Sequence, residues 1–338
     1  VAESLNKHWR GENMKNTRVI AAILALGASL TSCQSSTTLA LQEEESDVLE
    51  QVYVHKYGVS LDKGDWESRG QDGQVINKRP DGVIVTKTYR KGILDGVTTY
   101  SFPHNDVVQK VEYYQNGKSM KEQTNYPSGI PMREEEIMAN GYKKVTHWYE
   151  SSSPSSVEEV LENLLVTGRY YTVDNTQESH VKEGYGTRPV RSSYGDLIAH
   201  DVLVEGEVAE RTLYFPNGAV EAIVPYSKGI VSGKKKTYLL DGEPCTIEEW
   251  AEGKRNGMTL VYQNGEKISE IPYKNGKKNG VERRFRNGTT VEEEITWRED
   301  MLHGPVRSYA GNQMKTDWYN RGKVVSHLGV EDVSGTIR

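Results

Sequence analysis

Two cysteines, eight histidines and three runs of three glutamates, the first of them (Glu43-Glu44-Glu45) in the polar stretch after Cys33, are the residues through which this chain of 338 amino acids could do chemistry. Carboxylates held close together can divide acid and base roles between them. Glu134-Glu135-Glu136 and Glu292-Glu293-Glu294 supply such carboxylates. Adjacent residues of an extended strand point to opposite faces, so only the outer two of each trio could cooperate. With no pocket-forming pattern around them, both trios read as solvated faces. The histidines (His8, His55, His104, His147, His180, His200, His303 and His327) include no pair at metal-ligand spacing, and the cysteines add none. His303 takes the slot that Asn256 and Asn279 hold in other copies of a repeat described below, which makes it a turn residue. Cys245 has neither a histidine nor a catalytic motif beside it and reads as a half-buried loop thiol. Gly184-Tyr-Gly186-Thr-Arg-Pro189 begins like a dinucleotide fingerprint but fails at the third glycine. Neither a phosphate-cradling loop nor a nucleophile elbow occurs. The expectation is a non-enzyme without cofactor or metal.

The remaining cysteine has a more specific setting. After Met14, Lys15 and Arg18 form a positive region and Val19 to Leu26 an apolar run too short for a bilayer span. Gly27, Ala28 and Ser29 lead to Leu30-Thr31-Ser32-Cys33. That tetrad resembles a lipobox, in which Leu30 fits the recognition pocket and small residues surround the cut. Cys33 would supply the thiol for diacylglyceryl transfer. The resemblance implies a lipoprotein signal peptide within 1–33 and a membrane anchor at acylated Cys33. A simple secretory signal with an incidental cysteine is the alternative. Each buried methylene contributes about 0.8 kcal/mol, so one acyl chain holds marginally and two or more hold firmly. Gln34, where the enterobacterial sorting rule would need Asp for inner-membrane retention, implies the outer membrane of a bacterial envelope. Once Cys33 is lipidated only Cys245 remains, so no intrachain disulfide is expected. Residues 34–50, rich in Ser, Thr and Glu, read as a flexible tether.

The elements that would position any site come from a repeat. Tyr226, Trp250, Tyr273 and Trp297 lie 24, 23 and 24 residues apart. Three residues after them come Gly229, Gly253, Gly276 and Asp300; seven residues after them come Gly233, Gly257, Gly280 and Gly304. A second aromatic follows at Tyr238, Tyr262, Phe285 and Tyr309. Within a copy, Ile271 and Tyr273 share one parity, as do Val281, Arg283 and Phe285, the alternation of half-buried strands. Asn-Gly and Asp-Gly pairs such as Asn264-Gly265 and Asn275-Gly276 mark reversals that need positive φ. Each unit is then two short strands and two turns, too small to close a core alone, so neighbours must cover one another. Pro225 and Pro272 share one repeat position, which a missing ladder donor should confine to a strand end or an unpaired site.

The pattern in Tyr273-Lys-Asn-Gly-Lys-Lys-Asn-Gly-Val-Glu-Arg-Arg-Phe-Arg-Asn-Gly288 resembles the MORN repeat variant of the bacterial YwqK-like family. The match is good over 206–322 and ragged over 83–150. It implies a fold more firmly than a role and brings no catalytic residues. Family members are labelled antitoxins, which would make the chain an antitoxin or immunity protein binding a toxin.

The fold class expected is mainly β: an elongated antiparallel meander of 23–24-residue repeats with one short helix between two blocks. Degenerate repeats should fill 51–150, with Tyr89-Arg-Lys-Gly92-Ile-Leu-Asp-Gly96 as their clearest copy. The helix is expected at 156–168. Ser156-Val-Glu-Glu159 reads as a capping box, Val157, Val160, Leu161, Leu164 and Leu165 as an apolar stripe, and Gly168 as a stop. It would make 151–205 an insertion ahead of the array at 206–322, with a tail at 323–338. Thr246-Ile-Glu-Glu249 also fits a capping box but stands in strand phase with Trp250. Hydrophobic residues at 36%, 20 Tyr and 6 Trp against 3 Phe suit a half-wet sheet over a dry sandwich. A net charge of -6 argues against nucleic acid, and the basic stretch 226–288 reads as a solvated face. The functional expectation is a lipid-anchored envelope scaffold binding a protein or an envelope polymer.

Overall fold

The computed structural model describes residues 48–332. The expected acyl site Cys33, its leader and residues 34–47 of the tether lie outside that range. The described chain forms one antiparallel sheet of 28 strands. Apart from four two-residue strands, each strand pairs with its neighbours in sequence, from Ser60–Leu61 and Glu50–His55 at one edge to Lys323–Asp332 at the other. Lys323–Asp332 is a full edge strand where a tail was expected. The sheet is an open meander with no second sheet packed on it among the described residues.

Two kinds of turn alternate along it. At one end lie two-residue turns with both φ positive, including Asn116-Gly117, Glu252-Gly253, Asn275-Gly276 and Glu299-Asp300. Their twist matches that of the flanking strands. At the other end most turns run over five residues, as at 215–219, where Phe215 N–H donates to Ala219 and Gly218 N–H to Phe215. Both ends are stitched across units. The second residue of a two-residue turn donates its N–H to a carbonyl about one repeat earlier: Gly253 to Val231, Gly276 to Arg255, Asp300 to Lys278 and Gly322 to Leu302, at 2.8–3.0 Å. At the five-residue end side chains do the same, with Tyr126 Oη donating to the Trp148 carbonyl and Tyr149 Oη to that of Tyr171. Successive hairpins, already joined through one strand pair, are thereby tied together at their turns as well. Side chains on one face converge and bury one another without a covering layer.

The repeat's second glycine makes a bulge. Gly233, Gly257, Gly280 and Gly304 have φ of 116°, 126°, 120° and 112°. Each stands opposite the next unit's aromatic: Trp250, Tyr273, Trp297 and Tyr319. Gly96, opposite Tyr114, repeats the arrangement in the ragged N-terminal copy. The same bulge admits the prolines. Pro225 and Pro272 lie within Val220–Ser227 and Glu266–Lys274, and their carbonyls accept from Ser232 and Asn279 N–H. N–H and C=O of a strand residue point the same way, so the donor that proline lacks would face the bulge, where the ladder is already interrupted.

The helix expected at 156–168 is not formed; those residues make the strands Pro154–Leu161 and Leu164–Tyr171, joined by a turn at Glu162 and Asn163 with φ of 49° and 72°. The misreading has a physical cause. The apolar stripe is divided between two strands, Val157, Val160 and Leu161 on the first and Leu164 and Leu165 on the second, where Val166 is the extra residue of a bulge opposite Glu159 and Val160. Ser156 Oγ bonds His147 Nδ1 at 3.1 Å and caps nothing. The sheet runs unbroken through 151–205, so this stretch is neither an insertion nor helical. The one helix described, Lys63–Ser68, begins where Asp62 Oδ1 accepts from Asp65 N–H at 2.7 Å. It sets Trp66 against Tyr53 and Tyr89, closing the N-terminal edge. Thr246-Ile-Glu-Glu249 lies in the strand Pro244–Ala251, as strand phase required.

Candidate functional site: a charged inner face with an aromatic groove

Cross-strand register assigns most buried side chains to one face, among them Val75, Val85, Val145, Ala199, Val224 and Ile295. Between these lie charges. Glu112, Asp201, Glu248 and Glu282 are all buried and met by cations, and all but Asp201 also accept from an aromatic donor. Trp250 Nε1 donates to Glu248 at 2.9 Å, and Arg255 meets the same carboxylate at 2.9 Å. Arg255 is also sandwiched between the Trp250 and Tyr273 rings, 5.9 and 5.2 Å from their centroids. One unit on, Trp297 Nε1, Lys278 and Arg284 surround Glu282 at 2.8–3.0 Å, with Lys278 over the Trp297 ring. In the N-terminal block Tyr100, Tyr114 and Lys110 do the same for Glu112. Cations over ring faces contribute about 0.5–2 kcal/mol, more as water is excluded. The basic stretch 226–288, expected as a solvated face, therefore places four of its cations, Lys235, Arg255, Lys278 and Arg284, beside buried carboxylates.

The densest group spans five strands in the middle of the sheet. Asp201 is fully buried and accepts from Arg188 Nε and Nη2 at 3.0 and 2.8 Å and from Arg211 Nε and Nη2 at 2.6 and 2.9 Å. Arg188 also lies 3.8 Å from Glu158, which accepts from Tyr170 Oη at 2.8 Å. Burial pushes the Asp201 carboxyl up, but the two guanidinium groups outweigh it and hold it below the ordinary range. Burial, with Glu158 beside it, pushes the Tyr170 hydroxyl far up, so it stays a donor. Burial lowers His147, keeping the ring neutral. Glu282 and Glu294 resemble Asp201: burial raises each, and their hydrogen-bonded cations bring the net shift below the usual value. These carboxylates are ionised and saturated with donors. The arrangement binds charge and resists proton transfer.

The residues singled out in the sequence are not brought together. Glu134 pairs with Lys121 at 2.8 Å, while Glu135 is held by Arg133 and by Lys143. Glu292, Glu293 and Glu294 each meet a different arginine first: Arg286, Arg284 and Arg283. Solvated faces were expected; five of the six glutamates are ion-paired instead, and Glu136 is exposed. His303 lies in the strand Met301–Ala310 and is not a turn residue; the turn falls at Glu299-Asp300. Cys245 is half-buried as expected but sits in a strand, not a loop. No cluster that could hold a metal ion occurs among the described residues. Asp201, Arg188 and Arg211 escaped the sequence reading because they meet only through register, at separations of 13 and 10 residues.

An open groove of about 370 Å³ crosses the units at 213–250. Phe215, Tyr226, Tyr238 and Trp250 form its walls, with Lys235 and Glu221 as charged members. Two of the walls are the repeat's anchor aromatics. The groove exists where the inner face carries Ala222, in the position filled by Thr246, Ser269 and Glu293 in the following units. No protein-family model matches the chain, and no curated protein matches it either.

Proposed function

We propose that the chain is a lipid-anchored protein of the bacterial envelope, held in the outer membrane through acylated Cys33. Its sheet is a non-catalytic scaffold that binds a protein or an envelope polymer. The observation that carries this reading is the groove at 213–250, an open aromatic surface set into a face whose charges are already paired. Such a surface offers flat apolar rings with polar tips, the composition of a recognition patch. Carboxylates held ionised by arginine and lysine are unsuited to general-acid work near neutral pH, which supports a binding role over catalysis. The Leu30-Thr31-Ser32-Cys33 tetrad supplies the anchor in this reading. The repeat spacing alone supports a MORN-like ancestry.

Radiolabelled palmitate fed to cells expressing the full chain tests the anchor. Label is expected on the wild type, and at least tenfold less on Cys33→Ala. Equal labelling of the two would remove the envelope anchor from the proposal.

A further inference from the structure

The two edges of the sheet are built differently. At the N-terminal edge the outermost strand is the two-residue Ser60–Leu61, followed at once by the capped helix with its buried Trp66. Short edge strands and covering elements are how sheets avoid pairing with other chains. At the C-terminal edge the ten-residue strand Lys323–Asp332 pairs on one side only among the described residues, with Gln313–Asn320. Its exposed side chains include Val324, Val325 and Leu328, at 45%, 61% and 44%.

This strand is self-complementary. The register with Gln313–Asn320 leaves Val325 and Gly329 as extra, bulged residues, placed symmetrically about His327. An antiparallel pair of identical strands has its two-fold axis normal to the sheet. Facing residues must share a face, so the axis has to pass through a residue and not between two. An axis at His327 sets the bulges of one copy against those of the other. It also sets Lys323 opposite Glu331 at both ends of the pair, with Val324 opposite Val330. Opposite charges directly across a strand pair are favourable and like charges are not.

We infer that Lys323–Asp332 is a docking edge for a second copy of this chain, joined antiparallel about His327. Two sheets then become one continuous ladder, with Lys323 opposite Glu331 at each end fixing the register and Val325 of one copy opposite Gly329 of the other. This does not rest on the functional proposal above.

Sedimentation velocity on the full chain carrying Cys33→Ser, at tens of micromolar, tests it. Cys33→Ser removes acylation as a cause of association. A dimer is expected. Lys323→Glu and Glu331→Lys should each weaken self-association about tenfold or more. Mixed one to one, these two variants should dimerise again, because each supplies the charge the other lacks. The recovery also shows that neither variant is misfolded. A monomeric wild type would overturn the inference and leave the edge to an extended segment of another protein. So would a dimer indifferent to both charge reversals, or a mixture that stays monomeric.

Discussion

Asp201 sits at the centre of the inner face with both its oxygens committed to Arg188 and Arg211. Removing one member of a buried charge group leaves the others unpaired, which costs about 3–5 kcal/mol. Asp201→Asn is therefore expected to lower the urea midpoint strongly at pH 7. The pH dependence has a definite sign. The folded Asp201 carboxyl lies below its ordinary value, which is about 3.9 in an unfolded chain. Its stabilising contribution is thus complete above about pH 4 and is lost as the pH falls through the folded value. The gap between urea melts of wild type and Asp201→Asn should narrow as the pH falls below about 4. A constant gap between them would mean that the carboxylate is not held down by its arginines. Glu282 and Glu294 share this logic, so acid should loosen the middle and the C-terminal end of the sheet together.

At the scale of the element, the two-residue turns show where the sequence spoke clearly and where it did not. Asn275-Gly276 and Asn116-Gly117 were readable because asparagine and glycine tolerate the positive φ that such turns need. Lys228-Gly229, Glu252-Gly253 and Glu299-Asp300 adopt the same geometry with Lys228, Glu252 and Glu299, which do not favour it, in the first position. Repeat phase, not turn chemistry, was what placed them. At Glu252, φ is 50°, a conformation that costs an ordinary residue about 1–2 kcal/mol. Glu252→Asn should raise stability by about 0.5–1 kcal/mol and shift the urea midpoint upward; an unchanged or lower midpoint would show that Glu252 makes a compensating contact. The aromatic spacing from Tyr226 to Trp297 was legible for a related reason: Trp250, Tyr273 and Trp297 each stand opposite a bulge glycine in the ladder, so both recur together. The strands at 154–171 were not legible, because a two-residue turn at Glu162-Asn163 and a bulge at Val166 join two apolar strand segments into what reads as one helical stripe. The Asp201 group and the groove were hidden as well. Each depends on which residues face one another across strands, and a single sequence shows alternation along a strand but not its register.

At the scale of the whole molecule, the sheet has no covering layer among the described residues, and its proposed role is that of a binding surface. Units are held to their neighbours by strand pairing, by turn-to-turn hydrogen bonds and by charge pairs on the inner face. The groove then arises from a gap in the repeat, where Ala222 leaves room between Tyr226 and Trp250. Binding through this gap is the central claim. Its most direct test is site-specific photo-crosslinking in living cells, with benzoylphenylalanine replacing Tyr238 inside the groove or the exposed Tyr57 at the far edge. The account predicts a discrete adduct from position 238, its loss when Cys33→Ala is added, and none from position 57. Equal adducts from both positions, or none from 238, would contradict it.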